Sequence, residues 1–176
     1  MLETELLPWV EAAGELGDDV LEIGPGPGLI TDLLRQRSER VTAVEIDSSL
    51  GEALRHRLAD TNVEVIVADA TKAGLPADRF SAAACFSVLH HMASPEEQDR
   101  LFAELYRVLR PGGVFVGQES LDLEAIRPGH ADDTFTPVDP DQMSRRLVAL
   151  GFDPLTTDVV GYHFRFVTRK PDAPSQ

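Results

Sequence analysis

The sequence predicts a parallel, doubly wound α/β sheet with a hairpin closing one edge. Three observations predict it. Five short apolar runs are separated by segments of helical spacing. The first run stops abruptly at a glycine-rich loop. The last two strand-like segments are joined by only two residues, Gly161 and Tyr162.

Each element follows in order. Val20-Leu21-Glu22-Ile23 is a strand halted by Gly24-Pro25-Gly26-Pro27-Gly28, and Leu29, Ile30, Leu33 and Leu34 then follow helical spacing. Val41–Val44 is the second strand, ending at Glu45-Ile46-Asp47. Leu50, Leu54 and Leu58 mark one face of a second helix capped by Ser48 or Ser49. Val63–Val67 is the third strand, ending at Ala68-Asp69. Phe80–Phe86 is the fourth, apolar enough to be buried on both faces. Ser94-Pro95-Glu96-Glu97 starts a helix, with proline in the first turn and acids at the positive end of the dipole. Leu101, Leu105, Val108 and Leu109 give it a core face. Pro111-Gly112-Gly113 turns into a fifth strand, Val114–Val116, and a polar stretch runs from Glu119 to Val138. A helix over Pro140–Leu150 stops at Gly151, and strands over Phe152–Val160 and His163–Arg169 finish the fold. A single domain is expected over residues 1–170, with a disordered tail at 171–176.

Composition narrows the function classes. Thirty acidic against sixteen basic residues give a net charge of −14, spread along the chain with no basic arm. That balance disfavours a partner held by its phosphates and a surface of anionic lipid, so neither nucleic acid nor membrane is expected. The lone Cys85 excludes a disulfide framework and a cysteine-rich metal site, no metal is expected, and a reducing cytoplasm suits it. The acidic N-terminus has no secretory pattern, and no apolar run reaches the length of a membrane span.

Ligands of doubly wound sheets sit at the carboxyl ends of the strands. The glycines at 24, 26 and 28 miss the G-x-G-x-x-G spacing of dinucleotide loops, and Pro25 and Pro27 offer no N–H to a pyrophosphate. Glu22, Glu45, Asp47 and Asp69 lie at neighbouring strand ends, where they would repel a diphosphate. They suit a ligand with a ribose diol, amine donors and a positive centre. Glu45 follows Gly24 at about the distance from which an acid reaches a ribose.

These segments resemble the class I S-adenosylmethionine-dependent methyltransferases. Val20–Gly28 is similar to their first motif, Val44–Asp47 to the acidic end of strand 2, and Ala68-Asp69-Ala70 to the turn after strand 3. Phe86–Met92 resembles the segment leaving strand 4, and Leu105–Gly113 the approach to strand 5. The resemblance spans residues 18–118 and implies a Rossmann-like sheet of seven strands in the order 3-2-1-4-5-7-6, flanked by helices, with the last strand antiparallel. It implies S-adenosylmethionine as cofactor and S-adenosylhomocysteine as product. Gly24, Gly26 and Gly28 would let the backbone approach the methionine part, and Glu22 would steady the loop and the amino group. Glu45 would accept from the ribose hydroxyls, Ile46 pack on the adenine, Asp69 accept from its amine beside Ala70, and Phe86 lie near the transfer pocket. Residues 20–47 also resemble the RNA adenine dimethylases. The chain lacks their Asn/Asp-x-Pro-aromatic signature after strand 4, their extra basic domain and their charge, so that branch is rejected.

The expected activity is methyl transfer to a small-molecule acceptor by in-line displacement, with the protein positioning and desolvating the reactants. Where a base is needed, His91 and His90 are the first candidates, then Glu119, His130, Tyr162 and His163. The acidic stretch Glu119–Asp141 is expected to cover the acceptor pocket and disfavour anionic acceptors. Leu6, Leu7, Trp9 and Val10 are expected to form one amphipathic helix serving as a partial lid, with ordinary packing or a homodimer contact as the alternatives for Trp9. The alternative is a catalytically silent, cofactor-binding partner subunit of another enzyme, and a nicotinamide oxidoreductase is a weaker one.

Overall fold

The computed structural model describes residue 9, residues 16–122 and residues 134–173. Along the chain run β1 (Asp19–Ile23), α1 (Leu29–Leu34), β2 (Arg40–Glu45), α2 (Ser48–Arg57), β3 (Val63–Val67), β4 (Phe80–Phe86), α3 (Pro95–Val108), β5 (Leu109–Ser120), α4 (Pro140–Leu150), β6 (Thr156–Val160) and β7 (His163–Arg169). Single 3₁₀ turns follow β3 at Ala70–Lys72 and β4 at Leu89–His91. The strands form one sheet in the order β3-β2-β1-β4-β5-β7-β6. β1 to β5 are parallel, and β7 runs antiparallel to both of its neighbours. This is the expected seven-strand order, with the expected antiparallel last strand.

β4 shows why the sheet needs cover on both faces. Ala83 and Cys85 join Phe80, Leu101, Phe102, Leu105, Phe115 and Phe166 in one apolar cluster, closed by α3 and α4. Ala82 and Ala84 join Val20, Leu34, Val41 and Val116 in another, against which Trp9 packs. Small side chains on the central strand let both layers approach closely. The apolar stripe of α3 faces the first cluster, and its start is capped as predicted: Ser94 Oγ accepts from Glu97 N at 3.3 Å.

Three predicted details are corrected. α2 is capped by Asp47, not by Ser48 or Ser49; the Asp47 carboxylate accepts from Ser49 N at 2.8 Å and Leu50 N at 2.9 Å. β5 is longer than Val114–Val116, because pairing to β4 and β7 holds Gln118, Glu119 and Ser120 extended. β6 starts at Thr156, not Phe152, where pairing to β7 begins. Leu6, Leu7 and Val10 of the expected lid, His130, most of the acidic stretch and the end of the tail lie outside the described residues. Among the described residues no helix is long and apolar enough to cross a membrane.

Gly117 of β5 lies between β4 and β7 with no room for a side chain. It pairs with Cys85 and Phe166, and a Cβ placed there would overlap the Cys85 carbonyl oxygen and the Phe166 ring. Gly117→Ala is expected to destabilise the chain by about 3 kcal/mol through overpacking. Thermal unfolding would show this as a fall in Tm of roughly 5–10 °C.

Candidate functional site

The carboxyl ends of β1, β2, β3 and β4 meet around the loop Gly24–Gly28. Gly24 (φ 63°) and Gly26 (φ 53°) sit in the left-handed region, which side chains disfavour. A Cβ on Gly24 would come within 2.6 Å of Val88 Cγ2, whereas around Gly26 nothing lies within 4 Å of that position. The backbone at Gly26 is therefore open to close approach by a ligand. Gly28 (φ 84°) leads into α1, and Arg57 donates to the carbonyls of Pro27 at 3.1 Å and Gly28 at 3.2 Å from outside.

Glu45, at the end of β2, is buried. Its Oε2 accepts from Gly26 N and its Oε1 from Asp47 N, both at 2.9 Å. One carboxylate thus joins the glycine loop to the start of α2. Each oxygen keeps a lone pair for a further donor.

Glu22, one strand away, is almost fully buried, and its Oε2 has no hydrogen-bond partner. Burial pushes its carboxyl up to about 7; the charges of Asp32 and Glu45 add to this, and the Thr31 hydroxyl opposes it.

Two cavities meet at Ile23 and Gly24. The first, about 300 Å³, is lined by Val44, Ile46, Asp69, Ala70, Val88 and His91, with Lys72 and Arg100 also on its wall. Ile46 is 74% exposed, an apolar side chain left uncovered at the end of its strand. Asp69 accepts from Thr71 N at 2.9 Å and Thr71 Oγ1 at 2.7 Å, and pairs with Lys72 at 3.2 Å. The Thr71 hydrogen bond, with Lys72 assisting, holds its carboxyl below the usual range. The second cavity, about 340 Å³, is lined by Glu22, Gly24, Pro25, Gly26, Phe86, Ser87 and Gln118, among others.

The two candidate histidines are placed differently. His91 lies on the wall of the first cavity. His90 lines neither cavity; it is buried, with Nδ1 against the carboxylate of the equally buried Glu119. Glu119 also accepts from Leu89 N at 2.6 Å and Ser120 N at 3.0 Å. On the other side of the 3₁₀ turn, Gln98 Nε2 donates to the Leu89 carbonyl at 2.9 Å, and Thr136 N to the His90 carbonyl at 2.8 Å. The segment leaving β4 is held from both ends. Glu119, expected as a possible base at the mouth of a loop, is an anchor inside the sheet.

Sequence reading missed Gln118 and Ser87. Gln118 lies past the expected strand Val114–Val116, in the part of β5 that only pairing keeps extended. Ser87 has a left-handed backbone (φ 58°), which no local signal announced, and its N–H donates to the Gln118 carbonyl at 2.8 Å.

The family model for the methyltransferase domain matches residues 21–117, more than half of the chain. A Pyrobaculum aerophilum protein named probable ribosomal RNA small subunit methyltransferase A is 38% identical over 116 residues, 66% of this chain and 47% of its own length. The chain spans 29% and 22% of the next two relatives, from Methanopyrus kandleri and Acidobacterium capsulatum, which carry the same activity in their names. Among solved structures, the phosphoethanolamine N-methyltransferase 2 of Haemonchus contortus in complex with S-adenosyl-L-methionine superposes with a TM-score of 0.79 at 15% identity, covering 94% of this chain and 52% of that one. An S-adenosylmethionine-dependent methyltransferase of Mesorhizobium loti gives 0.77 at 18% identity, covering 96% and 100%. These structures share the fold. The relatives' names overturn the exclusion of nucleic acid drawn from net charge. A whole-chain charge is an average, and here Lys72 and Arg100 stand beside the first cavity despite it.

Glu22 makes stability depend on pH. A carboxyl raised on folding binds its proton more tightly in the native state. Its favourable contribution is therefore complete below the unfolded value near 4.5 and is lost as pH rises through about 7. Between pH 4 and 8 the chain is expected to lose about 3 kcal/mol relative to Glu22→Gln. Urea unfolding of both proteins across that range measures the difference.

Proposed function

We propose that this chain, which belongs to the methyltransferase-domain family, is an S-adenosylmethionine-dependent methyltransferase and that it methylates a small-molecule acceptor bound in the cavity beside Phe86, Ser87 and Gln118. The observation that carries this is the division of the site at Gly24 into two cavities, with Glu22 on the wall of the second and Glu45 holding the loop at Gly26. S-adenosylmethionine supplies the electrophilic methyl group; the protein binds, orients and desolvates.

The residues fit that group. The unpartnered Glu22 Oε2 suits an ammonium, and the open backbone at Gly26 suits a close-lying aminoacyl chain. The spare lone pairs of Glu45 suit ribose hydroxyls. Ile46 and Ala70 offer apolar cover to an adenine, with Asp69 as acceptor for its amine. Gly28 turns the loop into α1, and Phe86 walls the acceptor side. His91 lies on the adenine side, and His90 is a positioning residue acting through the 3₁₀ turn it shares with His91.

A second reading, an RNA acceptor, is favoured by the names of the sequence relatives. One experiment separates them. The protein is incubated with methyl-labelled S-adenosylmethionine and a cell extract, and the extract is split into metabolite and RNA fractions. Label is expected among the metabolites; label in the RNA fraction instead would refute the small-molecule acceptor.

Glu45→Gln replaces one of two acceptors holding Gly26 and Asp47. It is expected to weaken S-adenosylhomocysteine binding about 10- to 100-fold, measured by calorimetry. In wild-type protein, an ammonium at Glu22 would draw its pKa down from about 7. Binding at pH 7 is then expected to release a fraction of a proton, read from the buffer dependence of the heat and absent in Glu22→Gln.

A further inference from the structure

Gln118 lies in β5 opposite Phe86 on one side and Arg165 on the other, and it lines the second cavity. Arg165 Nε donates to Gln118 Oε1 at 3.2 Å. A guanidinium has donors only, so the oxygen of this amide must face Arg165 and the NH₂ group must take the other position. Two further features hold the arrangement. Arg165 is itself buried, 8% exposed, with its guanidinium over the Trp9 ring at 5.9 Å. The Gln118 main-chain carbonyl accepts from Ser87 N.

The amide NH₂ has no acceptor among the described residues. Gln118 is half-buried and on the cavity wall, so an acceptor that enters the cavity can take the place of water at this NH₂. The rest of the wall offers little to read a polar acceptor. Leu29, Ile30 and Phe86 are apolar, the two prolines have no N–H, Glu22 passes from donor to acceptor as pH rises through about 7, and the Ser87 hydroxyl is the other neutral side-chain donor.

We propose that Gln118, oriented by Arg165, is the specificity-determining residue for the acceptor, and that it selects molecules carrying a hydrogen-bond-accepting oxygen beside the methylated atom. The assignment rests on the proposed transfer to the cavity beside Phe86 and names the chemical class of acceptor that this cavity takes. It predicts substrates in which a carbonyl or carboxylate oxygen neighbours the nucleophile. The oxygen docks on the Gln118 NH₂ and turns the nucleophile toward the glycine loop.

Matched acceptors test it. Labelled methyl transfer is compared for 2-hydroxyacetophenone against 2-isopropylphenol, and for 2-mercaptobenzoate against 2-ethylthiophenol. Wild-type protein is expected to favour the oxygen-bearing member of each pair by about 10- to 100-fold in kcat/KM, the worth of one buried donor with and without its partner. Gln118→Met removes the donor at similar volume and should erase the preference. Gln118→Glu keeps an acceptor for Arg165 while removing the NH₂ and should do the same, so a folding defect in one variant does not decide the outcome. S-adenosylhomocysteine affinity should stay within about twofold in Gln118→Met. The proposal is overturned if wild-type protein shows no preference or if both variants keep it. It is also overturned if affinity for S-adenosylhomocysteine falls in parallel, which would place Gln118 on the cofactor. Normal S-adenosylhomocysteine binding with no transfer to any acceptor identifies a different failure. The transfer reading would then be wrong, and the selectivity argument with it.

Discussion

The two hydrogen bonds accepted by Glu45 hold the site together. Its carboxylate takes the N–H of Gly26 from one loop and the N–H of Asp47 from the next, so two strand ends share one buried anion. Asp47 in turn caps α2, and Arg57 near the far end of that helix returns to the carbonyls of Pro27 and Gly28. The glycine loop is therefore gripped from both sides by elements belonging to β2 and α2. The division of the site at Gly24 depends on that grip, because the loop forms a wall of both cavities.

A second carboxylate does the same work across the sheet. Glu119 sits within β5 with no exposure, yet it fixes the N–H groups that open the 3₁₀ turn after β4. Gln98 and Thr136 secure the carbonyls of that turn, and Arg146 holds the Gln98 oxygen at 2.9 Å. Residues from β5, α3 and the approach to α4 thus converge on three residues. A buried anion satisfied by several N–H donors is tolerable and rigid, whereas one left alone would be costly. Glu22 is the exception. It is buried with an unpartnered oxygen, and its raised pKa is the physical sign that the protein alone does not satisfy it.

Membership of the methyltransferase family fits the cofactor and names no acceptor, because one fold hosts many. Charge alone misled here. A net of −14 describes the whole chain, while recognition is decided by the few groups at a site.

The five parallel strands and the hairpin at the edge were legible in the residues themselves, whereas the order of the seven strands was implied by the family resemblance. Apolar periodicity and glycine placement are local, and they follow from burial and backbone sterics alone. The same holds for the capped start of α3 and for the glycine loop, whose conformation only glycine adopts easily. What local patterns could not supply was pairing. Gln118 and Glu119 read as the start of a polar loop, because two partner strands, not their own propensity, keep them extended. The separation of His90 from His91 likewise needed Glu119, which lies far along the chain. Adjacent residues in sequence look alike, and only the packing of β5 against β4 decides which one turns inward to a carboxylate and which one faces a cavity.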